Sequence, residues 1–152
     1  MALPNIFSKE VSDSIIARIN QLNPNSQAKW GKMNVAQMLA HCNVTYELVY
    51  ENKHPKKTGF VKLMLKAFVK PLVVNEAPYK SNSRTAPEFL IVNERVFENE
   101  KKRLIDFLEK TQKLGTSEFE GKESNSFGKL NSSEWNNMFY KHLNHHLTQF
   151  GV

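Results

Sequence analysis

Apolar residues recur at helical spacing in four separate stretches of the chain, and this pattern limits the fold more than any other feature. Val11, Ile15, Ile16, Ile19 and Leu22 form the first set, which Asn23-Pro24-Asn25 closes with turn chemistry. The second set, Val35, Met38, Leu39, Cys42, Tyr46 and Val49, follows Asn34, a residue type favoured at N-caps. A third runs from Val92 to Leu114 with Val96, Phe97, Leu104, Phe107, Leu108 and Leu114 inward, and Gly115 is placed to end it in the left-handed region. The fourth follows Asn131, which stands with Glu134 in the N-x-x-E spacing of a capping box, and runs to Phe150. The spacing therefore predicts helices over 8–22, 34–50, 92–114 and 132–150. Helices of this kind bury their apolar stripes against one another, so the expected fold is all-α, a four-helix bundle.

At 152 residues the chain suits a single domain, 1–152, with enough length for a real core. No internal repeat or low-complexity stretch divides it. No apolar run approaches the ~20 residues needed to span a bilayer. The opening MALPNIFSKE lacks the pattern of a signal peptide, and the one cysteine, Cys42, excludes an internal disulfide framework. These features lead to the expectation of a cytoplasmic protein. Cys42 lies on an apolar helix face and reads as a small buried hydrophobe.

The connection from Glu51 to Ile91 is longer than bundle helices usually need. It is also where the charge collects. The formal net charge is +6, yet Lys53 to Arg84 alone holds eight basic residues against the single acid Glu76, leaving the rest of the chain close to neutral. Within it, 60–70 is amphipathic, with Phe60, Leu63, Met64, Ala67 and Phe68 on one face and Lys62, Lys66 and Lys70 on another. A short extra helix is expected there, ended by Pro71, its apolar face packed on one end of the bundle. Base-stacking aromatics are not interleaved with these cations, so a nucleic-acid partner is not expected.

The last helix carries His142, His145 and His146. At 100° per residue, His142 and His146 fall about 20° to either side of Trp135, in the middle of the apolar stripe, and His145 at its edge. Two histidines at i and i+4 bring both rings within reach of one metal ion, and a third ligand from another helix would leave one position open, the pattern of catalytic zinc. His41, flanking the apolar face of the second helix, is the candidate. The competing reading is a set of half-buried structural histidines. Geometry sets a condition: His41 lies ~10 Å and His142 ~16 Å along their axes from their N-caps, so the helices must be staggered or crossed for the rings to meet. His54, before Pro55 in the basic connection, is not expected to be held in place.

The string Trp30-Gly-Lys-Met-Asn-Val-Ala-Gln-Met-Leu-Ala-His41, and His142-Leu-Asn-His145-His146-Leu-Thr-Gln149 at the other end, resemble the motifs of the DinB/YfiT-like superfamily. With Arg84-Thr-Ala-Pro-Glu-Phe and Ser126-Phe-Gly-Lys-Leu between them, the likeness covers nearly the whole chain and is to an uncharacterised branch. A His-Pro pair often found before Phe-Gly in that branch is replaced here by Ser124-Asn125. The resemblance implies a four-helix bundle with a divalent metal on His41, His142 and His146, and places His145 beside the ligand pair. Zinc is the default ion, with nickel, iron and manganese also suited to imidazole.

Characterised members of the superfamily are mostly thiol-dependent transferases or isomerases. The resemblance thus implies a metal-dependent enzyme acting on a small molecule in detoxification or stress chemistry, as a transferase, isomerase or hydrolase. An anionic substrate or low-molecular-weight thiol is expected, with Arg84, Lys80, His145 and Gln149 as substrate-binding candidates; no general base is assigned. The alternative class is a non-catalytic helical module that binds a ligand or another copy of itself as a homodimer.

Overall fold

A computed structural model describes residues 2–51 and 53–152. The described chain is mostly helical, and its long helices surround one core. α1 (Lys9–Gln21) starts at Ser8, whose hydroxyl accepts from the Val11 amide. α2 (Val35–Tyr50) opens with a capping box between Asn34 and Gln37. α5 (Phe97–Phe119) and α6 (Ser132–Gln149) complete the set, the latter opening on the Asn131–Glu134 box foreseen in its sequence.

Between α2 and α5 lie α3 (Gly59–Met64), a π-helical turn over Leu65–Val69 and α4 (Lys70–Val74), followed by extended chain and a 3-10 turn at Pro87–Phe89. Within the expected Glu51–Ile91 connection, Asn52 lies outside the described residues. The segment is pinned where it passes α2: His54 Nε2 lies 2.9 Å from Glu47 Oε2, and Lys57 pairs with Glu88. His54 is therefore held, contrary to the expectation from sequence.

Pro71 does not end the helix. A proline clashes with the carbonyl four residues back and cannot donate, and the wider turn before it gives the chain a way through; the Lys70 amide bonds to the Leu65 carbonyl, five residues away. Nor does the apolar face of this stretch pack on the long helices. Phe60, Leu63, Phe68 and Leu72 are exposed, while Lys62 and Lys70 turn toward the body and pair with Glu123 and Glu134. The helix is anchored instead by polar contacts at its end: Asn137 donates to the Val74 carbonyl, and Lys141 to the Leu72 and Asn75 carbonyls.

α5 begins five residues later than predicted because Val92 and Val96 are 84% and 62% exposed and take no part in the core. Gly115 breaks it as expected, at φ +72°, but the chain resumes helical geometry to Phe119. A hairpin then forms that no alternating pattern announced: β1 (Lys122–Ser124) pairs antiparallel with β2 (Gly128–Leu130), Glu123 opposite Lys129. At three residues a strand is too short for alternation to register.

The core joins all four long helices. Tyr46 stacks on Phe139 at 5.0 Å, Phe139 on Trp135 at 5.4 Å, and Phe119 meets both edge-on. Ile15, Ile19, Met38, Leu39, Leu104 and Leu108 fill the space around these rings. Cys42 is buried among them, and burial pushes its thiol up, away from nucleophilic chemistry.

Candidate metal centre

α2 and α6 pack together with the stagger the histidines require. His41 Nε2 and His142 Nε2 stand 2.9 Å apart, and one ring nitrogen from each of His41, His142 and His146 lies within 4.8 Å of the others. His41 is 4% exposed and His146 8%, so two of the rings are buried.

Each imidazole has its other nitrogen engaged. His41 Nδ1 lies 2.8 Å from the Phe89 carbonyl, which only accepts, so this nitrogen carries the proton. Gln149 donates from Nε2 to the Trp30 carbonyl at 2.6 Å, which turns its Oε1 onto His146 Nδ1 at 2.8 Å. That nitrogen too must be N–H. His142 Nδ1 meets the Thr45 hydroxyl at 3.0 Å. Nδ1 is thus engaged on all three rings; the Phe89 and Gln149 oxygens fix the tautomers of His41 and His146, while the Thr45 hydroxyl, which donates or accepts, suits either tautomer of His142.

Charge follows the same direction. Burial, opposed in part by the Phe89 carbonyl, lowers the His41 pKa. Burial and then the neighbouring imidazoles hold His142 well below its ordinary value, and burial together with His41 takes His146 down to about 3. All three rings are therefore neutral at pH 7, the form in which imidazole ligates. At ~2.0–2.1 Å from a tetrahedral ion, neighbouring nitrogens would stand ~3.3 Å apart, inside the range these rings span. The donor set fits a divalent metal.

The surroundings come from three elements. The 3-10 turn lays the Phe89 ring edge-on to His41 at 5.3 Å and to His142 at 5.8 Å. The Trp30-Gly31 turn meets the C-terminal end of α6, where the Lys29 amide also bonds to the Gln149 carbonyl. α6 itself offers His145 on the outer side, half-buried between Trp30 and Tyr79 at 5.7 Å from each ring. His145 lines a cleft of about 270 Å³ together with Trp30, Tyr79, Tyr140, Lys141 and Asn144. In its wall Lys141 is 4% exposed; Nζ donates to the Leu72 and Asn75 carbonyls and to Asn75 Oδ1, each at 2.8 Å, and burial draws its pKa down to about 8.

The histidines singled out in the sequence thus meet, and His145 stands beside them. Gln149 is buried, with its side-chain amide committed to His146 and Trp30. Lys80 and Arg84 are exposed and make no hydrogen bond, ion pair or ring contact with the imidazoles. Sequence reasoning missed the parts of Thr45, Phe89 and Lys141. Thr45 left a trace, one helical turn after His41; a backbone carbonyl such as that of Phe89 leaves none.

Fold and donor set together define a mostly helical protein with a three-imidazole cluster at a helix–helix contact. Residues 7–151 match the family model described as "Protein of unknown function (DUF1569)", and the chain belongs to that family. No curated protein and no solved structure matches the chain.

Proposed function

We propose that the chain is a DinB-like four-helix bundle and a divalent-metal-dependent enzyme, its ion held by His41, His142 and His146. The observation that carries this reading is the engagement of Nδ1 on every ring, by Phe89, Thr45 and Gln149, which leaves three neutral imidazoles aimed at one point. When bound, a divalent ion supplies Lewis acidity there, favouring the deprotonated form of a water or small thiol near neutral pH.

The chain's own residues supply the rest. Gln149 and the Phe89 carbonyl hold ring orientation, and the Phe89 ring keeps water from one side of the cluster. The cleft beside His145, about 270 Å³, has Trp30, Tyr79 and Tyr140 among its walls and would take a ligand smaller than a drug-sized one. Lys141 donates to neutral oxygens, and Glu76 lines the same cleft, so its wall holds a group of either charge. The proposed ligand class is an anionic substrate or a low-molecular-weight thiol. Transferase, isomerase and hydrolase chemistry are all within reach of such a site.

A second reading draws on the 2.9 Å contact between His41 and His142, which two neutral imidazoles also make as a structural hydrogen bond. On that reading the protein is a non-catalytic ligand-binding module. Metal analysis of protein purified without a histidine tag separates the two. Stoichiometric zinc, nickel, iron or manganese that disappears in His146→Ala supports the enzyme; a metal-free protein that also fails to bind added ion supports the module. A panel of thiols and electrophiles then defines the reaction.

A further inference from the structure

The helical stretch 59–74 presents its apolar side to water and two of its lysines, Lys62 and Lys70, to the protein. Phe60 is 74% exposed, Leu63 62%, Phe68 65% and Leu72 64%, with Met64 and Val61 beside them. Side chains of this size exposed together amount to several hundred Å² of apolar surface, as much as the largest patch a typical monomer tolerates. The arrangement is not a failure of packing. Lys62 is held at 2.9 Å by Glu123 and Lys70 at 2.7 Å by Glu134, while Lys141 and Asn137 fasten the far end, so the apolar face is fixed outward.

Charge decides what that face fits. Lys62, Lys70, Lys53 and Lys57 have carboxylate partners. Among the described residues, Lys56 and Lys66, and Lys80 and Arg84 just beyond the helix, are exposed cations in no ion pair, Lys56 acting on Glu123 only from a distance. The apolar face is therefore accompanied by unneutralised positive charge. A second copy docking by a two-fold axis would bring this surplus against itself. An anionic surface would not. Aromatic and aliphatic residues on one face, with lysines along the flanks, are the composition of helices that lie in the plane of a bilayer interface. Among the described residues no helix is long and apolar enough to cross a membrane, so the contact would be peripheral.

We infer that residues 59–74 form a docking face for an anionic lipid surface, with Phe60, Leu63, Phe68 and Leu72 entering the headgroup–acyl boundary and Lys56 and Lys66 meeting the lipid phosphates. The test is flotation of the full-length protein with vesicles of phosphatidylcholine, alone or mixed with phosphatidylglycerol, alongside sedimentation equilibrium without lipid. The protein should float with the anionic vesicles and much less with the neutral ones. Phe60→Ser/Phe68→Ser, both at exposed positions, should abolish flotation while leaving the circular dichroism unchanged. Lys66→Gln should weaken it about fivefold, and raising salt from about 0.1 M to about 1 M should weaken it further as the Debye length shrinks from ~10 Å to ~3 Å. Equal flotation with both vesicle types, or flotation indifferent to the phenylalanine substitutions, would overturn the inference. So would a protein that does not float, whether it sediments as a monomer or as a dimer that Phe60→Ser/Phe68→Ser dissociates; the dimer would make this a self-association face.

Discussion

Gly31 and Gln149 approach so closely that a Cβ on Gly31 would fall 2.6 Å from Gln149 Nε2. A side chain fits there only if Gln149 shifts, and Gly31 also sits at φ +86°, a conformation that favours glycine. The glycine thereby permits the Gln149–Trp30 bond that aims Oε1 at His146. Gly31→Ala should push Gln149 aside and release the His146 ring, although no ligand is touched. Loss of an outer partner costs about 10–100-fold in metal affinity. Competition with a chelator measures it, and unchanged affinity would dissociate Gln149 from the metal site.

Substituting the ligands themselves should be more severe. His142→Ala and His146→Ala are each expected to eliminate stoichiometric metal binding with the helices intact by circular dichroism. His145→Ala should leave the stoichiometry unchanged, because that ring faces Trp30 and Tyr79. Full metal content in both of the first two variants would refute the triad, and a loss in the third would mean that His145 ligates.

Without metal, stability should depend on pH in a defined direction. The cluster is neutral when folded, with His146 depressed from 6.5 to about 3 and His41 and His142 also lowered. Once unfolded, each returns to its ordinary value and takes up a proton below about pH 6.5. The unfolded chain then binds more protons than the folded one, so stability falls as pH drops below about 6.5. Urea midpoints of chelator-treated protein at pH 7.5 and 5, each approximate values bracketing the unfolded histidine pKa, should differ accordingly. His146→Gln should reduce that difference. A midpoint constant across this window would contradict the cluster's neutrality.

Lys141 offers a test of how α4 is held. Lys141→Met keeps most of the volume but leaves the Leu72 and Asn75 carbonyls and Asn75 Oδ1 without their donor. Unsatisfied groups cost about 1–3 kcal/mol each when buried, and less here because Leu72 and Asn75 are exposed. Amide exchange over 70–75 should accelerate while the α5 core remains protected, and uniform protection would show that the anchor lies elsewhere.

How far each part could be read from the sequence depended on the range of the interaction responsible. The long helices were legible because their signals are local: the stripe of Ile15 and Ile19, the Asn131–Glu134 box, the break at Gly115. The direction faced by 59–74 was not, since Lys62 and Lys70 are drawn inward by Glu123 and Glu134, some 60 residues along the chain. A stripe of lysines beside an apolar face gives no hint that it has carboxylate partners elsewhere. The same limit hid the β1–β2 hairpin and the carbonyl of Phe89 on His41. Spacing alone put His142 and His146 on one face; whether His41 would reach them rested on a helix stagger that spacing does not encode.

That meeting joins residues 101 positions apart. No short piece of the chain contains the site, and an extended or partly ordered chain does not assemble it. Whatever occupies the three imidazoles therefore recognises the native state and ignores its competitors, and its free energy of binding is added in full to that of folding: about 2.7 kcal/mol at a free concentration one hundred times Kd. Occupancy of this site would serve as an inventory of intact molecules, rising and falling with the fraction of the population that has completed its fold.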